Sequence, residues 1–77
     1  MDVLGPGTDW EMIVRTLLKA ELKRKGITYA ELARRLGEMG IEEREANIRT
    51  KLVRGRFTAV FLVQCLMAIG SDRLRLD

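Results

Sequence analysis

Gly26-Ile27-Thr28-Tyr29-Ala30-Glu31-Leu32-Ala33-Arg34-Arg35-Leu36-Gly37 spells a helix start, a short amphipathic helix and a helix end. Thr28 and Glu31 stand at capping-box spacing: the hydroxyl can accept from an early backbone N–H, and the carboxylate can reach back to the cap. Ile27 ahead of the cap and Leu32 at the fourth helical position have the spacing of a hydrophobic staple. Leu32, Ala33 and Leu36 share one face. The helix reaches at least Leu36. Gly37 either ends it or is a weak point in a longer helix that passes Met39 and breaks at Gly40. Ile41 is then expected to pack inward from the turn.

Upstream, Trp10, Ile13, Val14, Leu17, Leu18 and Leu22 recur every three or four residues, which predicts a core-covering helix from about Asp9 to Lys25. Thr8 and Glu11 form a second capping box, and Gly26 closes the helix. Trp10 reads as a core anchor. Met12, Met39 and Met67 read as gap-fillers.

Downstream, a third helix is expected over about Glu43 to Arg54, with Glu42 and Glu43 favoured near its positive end. Ile48 and Leu52 define its buried side at 100° per residue. Glu43, Asn47, Thr50 and Arg54 then point away, flanked by Arg44 and Lys51 on one side and Arg49 on the other. A fourth helix should run from about Ala59 to Ile69, capped by Thr58, with Phe57 and Leu62 at staple spacing. It is apolar nearly all round, so it is central or shared with a partner. Leu62, Cys65, Leu66 and Ile69 are assigned to the core. Val60, Phe61 and Met67 lie on other sides, to be covered either by the C-terminal tail or by a second copy of the chain. In that tail Leu74 and Leu76 alternate with Arg73 and Arg75, a weak strand pattern.

The chain has 77 residues, enough for one small domain with a thin stability margin. Its 47% hydrophobic and 32% charged content argues against disorder. The organisation expected is a loose lead-in over 1–7, one helical domain over 8–70 and a tail over 71–77. Gly5-Pro6-Gly7 resists regular structure. The N-terminus lacks the basic start and apolar stretch of a signal peptide. No apolar run is long enough to span a membrane. The single cysteine, Cys65, permits no internal disulfide and favours a reducing compartment.

The net charge is +3, and its placement matters more than its size. Between Arg44 and Arg56 stand Arg44, Arg49, Lys51, Arg54 and Arg56 against one acid, Glu45, a footprint that suits a polyanion. Lys19, Lys23, Arg24 and Lys25 instead suit the negative end of the first helix. Catalysis has little to stand on: there is no histidine, and Cys65 sits in an apolar helix as a packed thiol. One cysteine without histidine cannot build a zinc site. No phosphate-loop glycine spacing occurs. The reading is of a binding domain without enzyme activity, metal, cofactor or evident small-molecule ligand.

A short helix followed by a basic one is the order of a helix-turn-helix DNA reader. Gly26-Ile27-Thr28 through Gly37, Arg54-Gly55, and Phe61-Leu62 through Ile69-Gly70 resemble the XRE, or lambda-repressor-like, helix-turn-helix family. That pattern opens a helix with threonine, sets an alanine between two leucines, follows the recognition helix with Arg-Gly and closes a leucine-rich helix with glycine. The resemblance runs from about Trp10 to Gly70. The order Trp10, Leu17-Leu18-Lys19-Ala20-Glu21-Leu22, Thr28-Tyr29-Ala30-Glu31-Leu32, Arg54-Gly55, Phe61-Leu62, Gln64-Cys65-Leu66, Ala68-Ile69-Gly70 is also similar to a small bacterial family of uncharacterised domains.

The XRE resemblance implies a compact all-α four-helix lambda-repressor-like domain with a short extended tail. It implies sequence-selective binding of double-stranded DNA by a transcriptional regulator, cytoplasmic and nucleoid-associated. The third helix would enter the major groove. Asn47 would meet adenine, Arg44 or Lys51 guanine, and Thr50 a thymine methyl or a phosphate, with Arg49, Arg54 and Arg56 on phosphates. Thr28 and Tyr29 would meet a phosphate at the start of the second helix. Two copies would pair as a homodimer through Val60, Phe61 and Met67. Three departures stand out. The stretch between Gly37 and Arg54 is longer than in that family. Ile48 and Leu52 are spaced by four where the family has three. Tyr29 stands where glutamine often binds a phosphate; its hydroxyl can do the same, or its ring can pack. The alternative reading is a protein-interaction or oligomerisation module on the same scaffold.

Overall fold

A computed structural model describes residues 5–76 of the chain. They form four helices and no strand: α1 (Trp10–Lys25), α2 (Tyr29–Glu38), α3 (Glu45–Arg54) and α4 (Ala59–Ala68). The domain is all-α, as the periodicity predicts.

Each helix delivers a pair of buried residues spaced by four. Leu18 and Leu22 come from α1, Leu32 and Leu36 from α2, Ile48 and Leu52 from α3, and Phe61 and Cys65 from α4, with Ile69 following it. Ile27, Tyr29, Ala33, Ile41, Phe57, Leu62, Leu66 and Ala68 pack around this centre. Four-residue spacing keeps each pair on one side of its helix, so four stripes close one small core.

Caps fix the helix boundaries. The Thr28 hydroxyl accepts from the Glu31 N–H at 3.1 Å, and the Thr58 hydroxyl from the Phe61 N–H at 3.0 Å. At α1 the cap is Asp9, not Thr8: the Asp9 carboxylate accepts from the Met12 N–H at 2.9 Å, while the Thr8 hydroxyl donates to the Gly5 carbonyl at 2.7 Å. The Thr8 N–H also bonds the Gly5 carbonyl at 3.2 Å, so Gly5-Pro6-Gly7 is a closed turn; residues 1–4 of the expected lead-in lie outside the described residues. Helix α2 passes Gly37 and ends at Glu38 with Met39 at the cap position, between the two alternatives. Past the ends of α1 and α2, the N–H groups of Ile27 and Ile41 return to the Leu22 and Leu36 carbonyls, both at 2.9 Å, and the two isoleucines pack on the core.

Helix α3 starts at Glu45, two residues later than the periodicity suggests. Residues 39–44 therefore make the turn, and Arg44 holds the cap position without a side-chain cap bond. At the other end α3 abuts α1. Gly55 has φ +66°, and a Cβ there would lie 2.2 Å from the Glu11 carbonyl oxygen. Arg15 also donates to the Val53 carbonyl at 3.2 Å, and Arg56 pairs with Glu11.

Helix α4 is turned from the expected register. Phe61 is 4% exposed and belongs to the core with Cys65 and Ile69, whereas Leu62 and Leu66 are half-buried. The reason is the bulk of Phe61, whose ring stacks edge-on against Phe57 with centroids 5.5 Å apart and lies beneath Lys51. Burial pushes the Cys65 thiol up to about 12. Trp10, by contrast, is 54% exposed and anchors nothing in the core. It lies about 80° around α1 from Leu18, and its neighbour Glu11 takes the contact with α3. Met12, Met39 and Met67 are exposed too, so none fills a core gap.

The tail forms no strand over its described residues and leaves Val60 and Met67 uncovered. It is tied to the C-terminal end of α1. The Lys25 ammonium donates to the Gly70 carbonyl at 3.3 Å, and the buried Ser71 hydroxyl donates to the Glu21 carboxylate at 2.7 Å. With Gly55 at Glu11 and Gly70 at Lys25, α4 runs alongside α1 in the same sense.

Glu21 also accepts two hydrogen bonds from Arg24, at 2.8 and 3.0 Å. That guanidinium first, and the Ser71 hydroxyl second, hold the Glu21 carboxyl at about 2, below its ordinary 4.5. Arg34, with Arg35, holds Glu31 at about 2 as well. A carboxyl depressed by folding stabilises the folded state above its unfolded value and loses that contribution on protonation. Stability measured by urea unfolding is therefore expected to be level between about pH 5.5 and 8 and to fall as pH drops through 4.5 towards 2. Glu21→Gln should make the acid fall shallower. An unchanged profile in that variant would remove Glu21 from the account.

Candidate nucleic-acid interface

The outward side of α3 follows from its anchors. Ile48 and Leu52 are both 0% exposed, so the opposite side of a ten-residue helix must face solvent. Ala46, Asn47, Thr50, Val53 and Arg54 are all exposed there, with Arg49 at one edge and Arg44 at the N-terminal end. Among the described residues Arg44, Asn47 and Arg54 enter no side-chain hydrogen bond or ion pair. Arg44 and Arg54 stand ten residues apart, about 15 Å at helical rise.

The other expected contact residues are differently engaged. Arg49 pairs with Glu45 at 3.1 Å and lies over the Tyr29 ring, 5.8 Å from its centroid. The Thr50 hydroxyl donates to the Ala46 carbonyl at 3.0 Å. Lys51 does not flank the outer side: it is half-buried, donates to Glu43 at 3.0 Å and lies 4.3 Å from the Phe61 centroid. The late start of α3 is the cause. Glu43, expected to point outward on the helix, lies in the turn and folds back over Lys51. One ammonium thereby joins the turn, α3 and α4, a positioning role that spacing alone does not reveal. Arg56 is turned towards Glu11 on α1, although its side chain remains exposed.

Thr28 caps α2, and Tyr29 is half-buried on the core, so the ring packs while its hydroxyl makes no hydrogen bond among the described residues. A shallow depression lined by Ile27, Thr28, Tyr29, Ala30, Glu45 and Arg49 joins the start of α2 to α3. The N–H groups of Tyr29 and Ala30 precede the first hydrogen bonds of that helix, so this end is partially positive. A second groove, around Ala33, Gly37, Ile41 and Glu42, reaches Arg44 and Asn47. Ala46 and Val53 also line this side, although neither carries a polar group that singles out a contact residue; the same 100° periodicity that exposes Thr50 exposes them.

Residues 10–74 match the family described as Domain of unknown function (DUF6471). The chain belongs to that family. The match runs from the first residue of α1 to the tail beyond Ser71, so the DUF6471 region takes in all four helices and the Glu21–Ser71 tie. No curated protein and no solved structure matches the chain. Elsewhere on this DUF6471 domain, α4 carries no charged residue and exposes Val60 at 65% and Met67 at 67%, with Val63 between them. Phe61, expected on that side, is instead a core residue.

Proposed function

We propose that this domain binds double-stranded DNA sequence-selectively, as a transcriptional regulator of the helix-turn-helix kind, with α3 in the major groove. The observation that carries the reading is the outward side of α3. Asn47 is exposed and unpaired between two exposed, unpaired arginines, Arg44 and Arg54, on a helix held from beneath by Ile48 and Leu52. An amide can meet a base edge with two hydrogen bonds, while arginines at either end suit phosphates. The α2 N-terminus and Arg49 supply a further phosphate contact. Arg49 and Arg56 can exchange exposed carboxylates for phosphates at small cost, because surface ion pairs are weak. The longer turn over 39–44 accounts for the departure from XRE spacing. The domain acts by binding, in the cytoplasm and at the nucleoid, without catalysis or cofactor.

Two copies are proposed to pair through Val60, Val63 and Met67. A charge-free helix is where two positively charged copies approach with least repulsion, and pairing would present two recognition helices to two half-sites. The same exposed stripe favours the second reading, a protein-interaction module without a DNA role.

Fluorescence anisotropy with a random-sequence duplex at low salt separates the two. If Arg44, Arg49, Arg54 and Arg56 release counterions, log affinity should fall against log salt with a slope of about −3 to −4. No binding at about 50 mM salt, or a slope near zero, removes the DNA reading. Retained self-association, lost in Met67→Ser, would then leave the interaction module.

A further inference from the structure

Resting on the DNA reading, we propose that α3 selects A·T base pairs, reading adenine with Asn47 and thymine methyl groups with Thr50 and Val53. Guanine is read in the major groove by an arginine or lysine presented end-on to its two acceptors. The two cations in the middle of α3 are not presented so. Arg49 sits at the edge of the outward side, over Tyr29 at the start of α2, where a phosphate is its proposed partner. Lys51 is drawn inward to Glu43 and Phe61. Arg44 and Arg54 remain, one at each end of the helix and about 15 Å apart, and are assigned to phosphates.

Between those two arginines the outward side offers an unpaired amide, Asn47, and apolar groups at Thr50 and Val53. Val53 is 57% exposed. The Thr50 hydroxyl proton is committed to the Ala46 carbonyl, so the methyl group is the part of that side chain bound to nothing in the protein. Adenine presents an acceptor and a donor that match the asparagine amide, and thymine presents the only methyl group among the four bases. An amide beside exposed methyl groups therefore matches an A·T pair and has no counterpart for the second acceptor of guanine.

The test is selection from a random duplex pool with the intact chain, followed by anisotropy on the enriched site. Adjacent A·T pairs should dominate that site. Replacing its thymines with uracil, which removes only the methyl group, should weaken binding about three- to fivefold per contacted methyl. The double variant Thr50→Ser/Val53→Ser, which keeps the hydroxyl and lies on the surface, should bind the thymine and uracil duplexes alike. Enrichment of guanine-rich sites, or indifference of the unaltered protein to uracil, overturns the A·T proposal and leaves the DNA reading standing; binding without enrichment overturns sequence selectivity as well. Failure to bind any pool member at low salt overturns both.

Discussion

Gly55→Ala is expected to lower the melting temperature by roughly 15–30 °C, the largest effect of any single substitution outside the core. Two costs combine. A non-glycine residue at φ +66° costs about 1–2 kcal/mol. The new Cβ would also stand 2.2 Å from the Glu11 carbonyl oxygen and 2.7 Å from its carbon, both backbone atoms within α1. No rotamer change relieves that contact, so α1 or the end of α3 must shift and the core between them must loosen, for about 4 kcal/mol in total. Gly26→Ala is the internal control. Its φ is +70°, but nothing lies within 4 Å of an added Cβ, so only the conformational cost of about 1–2 kcal/mol applies. Thermal unfolding followed by circular dichroism compares the two. Equal shifts would mean that the approach of α3 to α1 contributes nothing.

The triple substitution Arg44→Ala/Asn47→Ala/Arg54→Ala is expected to cut duplex affinity roughly 100- to 1,000-fold, since one base contact and two phosphate contacts disappear together. Its stability should change by no more than about 0.5 kcal/mol, because all three side chains are exposed and unpaired. Lys51→Met gives the contrast. It strips the partner from Glu43, whose side chain is 13% exposed, and so lowers stability first and affinity only through a displaced turn. Urea unfolding beside anisotropy separates a contacting residue from a positioning one. Full affinity in the triple variant would move any nucleic-acid contact away from α3.

Much of the domain was legible from local chemistry. The Thr28 and Thr58 caps, the end of α1 at Gly26 and the buried pair Ile48/Leu52 all depend on residues within one turn of each other, and local spacing suffices to find them. The exposed positions of Asn47, Thr50 and Arg54 follow from that same pair, while Arg44 is exposed because α3 starts after it. Positions whose partner is distant in the chain depart from the local pattern. Phe61 is turned into the core by Phe57 and Lys51. Trp10 is left outside because α3 meets α1 at Glu11, on another side of the helix. Lys51 looks like a free cation until Glu43 is seen folding back over it.

Helix number, the Thr28 and Thr58 caps and the buried pair of α3 were thus determined by the order of residues, since hydrophobic period and capping act over three or four positions. Tertiary packing alone decided which cations remain free, which side of α4 is buried and where the tail is tied. Those outcomes depend on charges and rings brought together across as many as 50 residues of chain, as at Glu21 and Ser71, and no local pattern records such a pairing.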